Sequence, residues 1–153
     1  MKTMKCLSAG VFVLAAAWVV PAIAQNSCSD RTLFGQYSSV IDGRILTGPL
    51  AGLDNGVTLE TFDGNGHFTG IDHVVLNGVQ PAAEWRYGST GTYEVNSNCT
   101  GKKVVTFLNN TPPPRITYFV ITAGGKQMNW VSGNEGVALS GVAVRSVGTG
   151  NDQ

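Results

Sequence analysis

The sequence predicts an all-β domain, a single antiparallel up-and-down β-barrel of about eight strands, and three observations predict it. Short runs rich in Val, Ile, Thr, Phe and Tyr recur along the chain, separated by glycine, asparagine and proline. No window of a dozen residues repeats apolar side chains at helical spacing without a Gly or Pro interrupting it. The links are short, so sequence neighbours should lie side by side as a meander, and about eight strands suffice to close a sheet and remove its edges. A two-sheet β-sandwich is the second choice.

Taken in order, strands are expected near Leu33–Ile41, Val57–Phe62, His67–Leu76, Ser89–Val95, Lys102–Leu108, Arg115–Thr122, Gln127–Ser132 and Val137–Ser146, with Arg44–Leu46 continuing the first after a bend at Asp42-Gly43. Asp63-Gly64-Asn65-Gly66 turns the second strand into the third, because Asn and Gly accept the positive φ of tight hairpins. Asn77-Gly78 ends the third strand, and Asn96 to Gly101 joins the fourth to the fifth. Gly124-Gly125 and Asn134-Glu135-Gly136 turn the last two hairpins. Thr111-Pro112-Pro113-Pro114 offers no ladder donors at its prolines and should form a stiff, exposed link.

Ahead of this domain stands a segment built for removal. Met1 to Lys5 is a short basic stretch, Leu7 to Val20 is almost wholly apolar, and Pro21-Ala22-Ile23-Ala24 supplies the small-x-small pattern of a cleavage site after Ala24. Residues 1–24 therefore read as a signal peptide and 25–153 as the barrel domain, secreted or periplasmic and without a membrane span. Lys2 and Lys5 leave with the signal, so the charge moves from 0 to −2. Charged residues make up 13% of the chain, about half the share usual in globular domains. No basic face for nucleic acid and no acidic tail emerges from that balance. Of the three cysteines, Cys6 lies in the signal, which leaves Cys28 and Cys99 to form a disulfide in an oxidising compartment.

Alternation then sorts side chains onto faces. In the third strand Phe68, Gly70, Asp72, Val74 and Leu76 share the more apolar face; if that face points inward Asp72 goes with it into the barrel, whereas the favoured, plainer reading leaves Asp72 solvated at a barrel mouth or bulge. A buried carboxylate must be paired, hydrogen-bonded or neutralised, which makes Asp72 the candidate catalytic residue, with Tyr37, Tyr93, Tyr118 or Arg145 as partners. In the sixth strand Ile116, Tyr118 and Val120 oppose Thr117, Phe119 and Ile121, and both faces are apolar. Gly35-Gln36-Tyr37 and Gly91-Thr92-Tyr93 repeat a Gly-x-Tyr pattern, in which a strand glycine admits a bend or a neighbouring ring. Tyr37, Tyr93 and Tyr118 are core aromatics first and candidate ligand contacts second. Trp85 and Tyr87, in Glu84-Trp85-Arg86-Tyr87 of the long link after the third strand, are the candidate recognition patch.

Other chemistry is not specified. His67 and His73 are six residues apart on one strand, too far to share a metal, and no Gly-x-Ser-x-Gly elbow is present. Asp63-Gly64-Asn65-Gly66 lacks the acidic spacing of a calcium loop, and the glycine spacing there misses the dinucleotide fingerprint. No metal site and no cofactor are expected.

Two passages, Thr61-Phe62-Asp63-Gly64-Asn65-Gly66-His67-Phe68-Thr69-Gly70 and Gly91-Thr92-Tyr93-Glu94-Val95-Asn96-Ser97-Asn98-Cys99-Thr100-Gly101, resemble a group of small exported bacterial proteins without assigned function. The expected architecture is similar to eight-stranded barrels of the calycin and allene oxide cyclase/dirigent type. That resemblance implies a fold and transfers no activity, and no cyclase residue maps onto a matching motif. A barrel of this size holds one small ligand or is filled by its own side chains. The expected function is a non-catalytic module that binds a small apolar ligand or a partner surface in the envelope or outside the cell. The alternatives are a cofactor-free isomerase or cyclase working in the barrel interior, and a structural envelope-interaction protein.

Overall fold

The structure is a computed structural model that describes residues 27–108 and 112–146. The expected signal peptide, residues 1–24, and Thr111 of the proline link lie outside the described residues. Eight strands follow one another: β1 (Phe34–Ile45), β2 (Gly52–Asp63), β3 (His67–Leu76), β4 (Arg86–Val95), β5 (Thr100–Thr106), β6 (Arg115–Thr122), β7 (Gln127–Ser132) and β8 (Val137–Arg145). Each pairs antiparallel with the next, and β8 pairs back onto β1, closing an up-and-down barrel. The sandwich alternative is thereby set aside.

Strand bounds differ from expectation where pairing with neighbouring strands rather than composition decides them. Asp42-Gly43 does not break the first strand, since Asp42 pairs with Ser140 and Gly43 with Leu139, so β1 runs unbroken to Ile45. β2 starts five residues earlier than Val57, at Gly52, because β1 and β3 both offer it ladder partners there. β4 starts at Arg86, which places Arg86 and Tyr87 in a strand instead of the preceding link. A bulge interrupts that strand: Gly70 pairs with Ser89 and Ile71 with Tyr87, so Gly88 is the extra residue, at φ 89°. The bulge shifts the alternation by one, allowing both Arg86 and Ser89 to line the interior.

One end of the barrel is plugged. Leu33, Tyr37, Phe62, Phe68, Tyr93, Phe119, Ile121, Met128 and Ala143 form the main buried cluster there. The Phe62 ring stacks on Phe68 at 5.3 Å and meets Tyr37 and Tyr93 edge-on at 5.3 and 5.1 Å. Gly91 makes this packing possible, because a Cβ on it would lie 2.1 Å from the Val104 carbonyl and 2.4 Å from the Phe68 ring. The Cys28–Cys99 disulfide holds the segment before β1 against the β4–β5 turn. Asp30 completes the cap: its Oδ1 accepts the Val95 N–H at 2.8 Å. No helix among the described residues is long and apolar enough to cross a membrane.

Candidate functional site

The opposite half of the interior is polar, and alternation is the reason. Glu60 is two residues from the plug residue Phe62, and Lys103 is two from the buried Gly101, so both must point inward. They meet across the barrel, the Lys103 ammonium donating to both Glu60 oxygens at 2.5 Å, with each side chain less than a tenth exposed. Two further pairs stand nearer the open end. Arg86 donates through Nε to Asp72 Oδ1 at 2.5 Å, and Arg115 through Nη2 to Asp54 Oδ2 at 3.1 Å. Asp54 is fully buried, and its Oδ1 has no partner among the described residues. The six charges cancel, as a low-dielectric interior requires.

All members of these pairs except Asp54 line a chamber of about 50 Å³. That space admits a few water molecules or one small polar group. Above it opens a hollow of about 380 Å³ between the β3–β4 and β5–β6 links, edged by Ala83, Trp85, Tyr87 and Leu108. Asp72, Arg86, Ser89 and Phe107 line both spaces and so form the floor of one and the ceiling of the other. The rim is held in place by His73, whose Nδ1 donates to the Glu84 carbonyl, whose Nε2 lies 3.0 Å from Gln80 Oε1, and whose ring meets Trp85 edge-on at 6.0 Å.

The candidate residues from the sequence fall into three places. Asp72 points into the barrel with the more apolar face of its strand, buried rather than solvated, but its partner is Arg86 and none of Tyr37, Tyr93, Tyr118 or Arg145. Arg145 cannot serve, since it lies at the plugged end, donating to the Phe34 carbonyl with its guanidinium 5.9 Å from the Tyr37 ring. Tyr37 and Tyr93 belong to the plug, where Tyr37 donates to the Gly125 carbonyl and Tyr93 to the carbonyls of Asp30 and Leu33 at 3.1 Å. Burial raises the pKa of both phenols, partly offset at Tyr37 by the Arg145 charge. Tyr118 points outward, on a shallow groove across β5 to β8 with Val120, Val131 and Val142. Only Trp85 and Tyr87 stand at the mouth with Asp72. His67 sits at the exposed turn beside Asp63, whose carboxyl is held below its usual range by hydrogen bonds from the backbone of Asn65 and of His67. No group of three or more metal-ligating side chains occurs among the described residues.

Sequence reasoning missed Glu60, Lys103, Asp54 and Arg115. The period-two pattern through Thr58, Glu60 and Phe62 carried the signal for Glu60; the pairings, 43 and 61 residues apart in sequence, left no local trace.

Fold and site together define a small disulfide-tied barrel, plugged at one end, with an aromatic-rimmed and ion-paired mouth at the other. No protein-family model and no curated protein matches the chain.

Proposed function

We propose that this chain is an exported ligand-binding barrel that takes a small molecule at its open mouth. One observation carries the reading: a hollow of about 380 Å³, edged by exposed Trp85, Tyr87 and Leu108, is floored by buried Asp72 and partly buried Arg86 and Ser89. Binding sites for small molecules combine a mostly apolar, concave wall with a few fixed polar groups, and they fall in this size range. Trp85 and Tyr87 supply contact area, and the His73 bonds limit the ordering that binding has to impose on the rim. The pattern of the leading 24 residues and the disulfide support export, and likeness to calycin and allene oxide cyclase-type barrels is part of the same proposal. A purely apolar ligand suits the rim but leaves the terminal nitrogens of Arg86 unengaged beside it, so the ligand carries a polar group as well.

The experiment is native mass spectrometry of protein purified from its producing organism, joined to a ligand-observed NMR screen of small aromatic and aliphatic compounds. A retained adduct, or saturable binding that W85A/Y87A abolishes, is expected. Bare polypeptide mass in repeated preparations, together with no saturable binding that depends on Trp85 and Tyr87, would overturn the reading.

A further inference from the structure

We infer that the ligand is a small carboxylate with an apolar or aromatic body, its oxyanion held by Arg86; the inference rests on the mouth being a binding site. Arg86 engages Asp72 through Nε alone, and its two terminal amino groups make no hydrogen bond among the described residues. Its side chain is 39% exposed while that of Asp72 is 9% exposed, so the guanidinium fork faces the hollow with the carboxylate behind it. An incoming oxyanion can take both terminal nitrogens, in the fork geometry that guanidinium offers carboxylates, while the Nε–Asp72 bond stays intact. No buried charge is stranded.

A cation has no such route. It must either displace Arg86 and leave that guanidinium to find water, or sit beside it and be repelled. Arg86, Lys103 and Arg115 line the chamber together with Glu60 and Asp72. Asp54, which balances Arg115, is shut away from solvent and is not part of that lining. Its charge still reaches the chamber through Arg115, so the six charges cancel and the preference for an anion rests on the free terminal nitrogens of Arg86.

The body of the ligand is specified by the other contacts. A chamber of about 50 Å³ takes a head group and no chain, so the rest of the molecule must remain in the hollow. Phe107 lines both spaces, with the Arg115 guanidinium 5.7 Å from its ring, and Trp85 and Tyr87 stand on the rim. A flat apolar group attached through a short linker to a carboxylate satisfies all of these surfaces at once.

The test uses three probes of one shape, 3-phenylpropionate, 3-phenylpropan-1-ol and 3-phenylpropylammonium, titrated into the mature disulfide-bonded protein and followed by amide chemical shifts. The carboxylate should bind about tenfold or more tighter than the other two, with shifts centred on residues 83–89, the difference expected when a fork of charge-assisted hydrogen bonds is gained. R86Q should reduce the carboxylate to the level of the alcohol while leaving alcohol binding within about twofold, and R86K should fall between them. If R86Q fails to fold, the ranking of the three probes on the unmodified protein decides by itself. Equal binding of all three, or preference for the ammonium, would overturn the carboxylate assignment and leave the mouth a binding site. Absence of mouth shifts with any of the three would count against the binding reading itself.

Discussion

Replacing Lys103 by methionine keeps most of the length and the apolar stem of the side chain and deletes its charge. Glu60 then loses both of its hydrogen bonds, each 2.5 Å long, and no other donor reaches it among the described residues. Its surroundings offer no substitute, since Phe62 and Phe68 pack beside the pair, their ring centres 5.9 and 5.3 Å from the lost nitrogen. Both side chains are less than a tenth exposed, so water does not screen the stranded carboxylate as it would at the surface. Breaking one partner of such a buried pair costs about 3–5 kcal/mol. For a domain of this size, with a urea m-value of about 2 kcal/mol/M, that corresponds to a midpoint lowered by about 1.5–2.5 M. Equilibrium urea unfolding read by tryptophan emission is the assay, Trp130 being a reporter that lines the same chamber. The companion variant E60M/K103M removes both charges at similar volume and should recover most of the loss, or exceed the parent, because the desolvation of two ions is relieved together. A loss below about 1 kcal/mol for K103M, or a double variant no more stable than K103M, would refute the claim that the two charges depend on each other.

Three further outcomes follow from the same geometry. C28A/C99A should destabilise the domain by up to about 4 kcal/mol, the loop-entropy value for a 71-residue separation, and an unchanged urea midpoint would contradict a structural role. Burial raises the Tyr37 and Tyr93 pKa above the unfolded value of 10.0, so the stability they lend is full below that pH and is lost as pH rises through the folded values. Absorbance at 295 nm and circular dichroism recorded together should therefore show their ionisation only as the barrel opens, and ionisation of every tyrosine with the fold intact would disprove it. G91A should cost roughly 1–3 kcal/mol by forcing Phe68 or the β5 backbone to move, and a thermal melt superimposable on the parent would show that the contact yields freely.

Much of the barrel was legible in the sequence because its information is local. Turn tetrapeptides such as Asp63-Gly64-Asn65-Gly66 fix hairpins within a few residues, and period-two alternation assigns faces without reference to any other strand. Alternation put Asp72 on the more apolar face of its strand without deciding between the interior and a solvated mouth, and the disulfide followed from two cysteines remaining after Cys6 was assigned to the signal. Errors collected where alternation breaks or where a partner decides. The bulge at Gly88 turned a stretch read as loop into the strand that carries Arg86, and with it changed the partner of Asp72. Tyr118 showed the limit from the other side: both faces of its strand are apolar, so the pattern did not say which one the barrel would enclose.

The order of strands, the closed meander and the single disulfide belong to the sequence by itself, through preferences that act over a few residues. The division of the interior into an aromatic plug and a charged mouth belongs to the tertiary structure. Closure of β8 onto β1 sets the stagger of the strands, and the stagger selects which inward side chains share a level. Glu60 reaches Lys103 and Asp54 reaches Arg115 across the barrel only after that closure, and a buried charge has no other way to be satisfied.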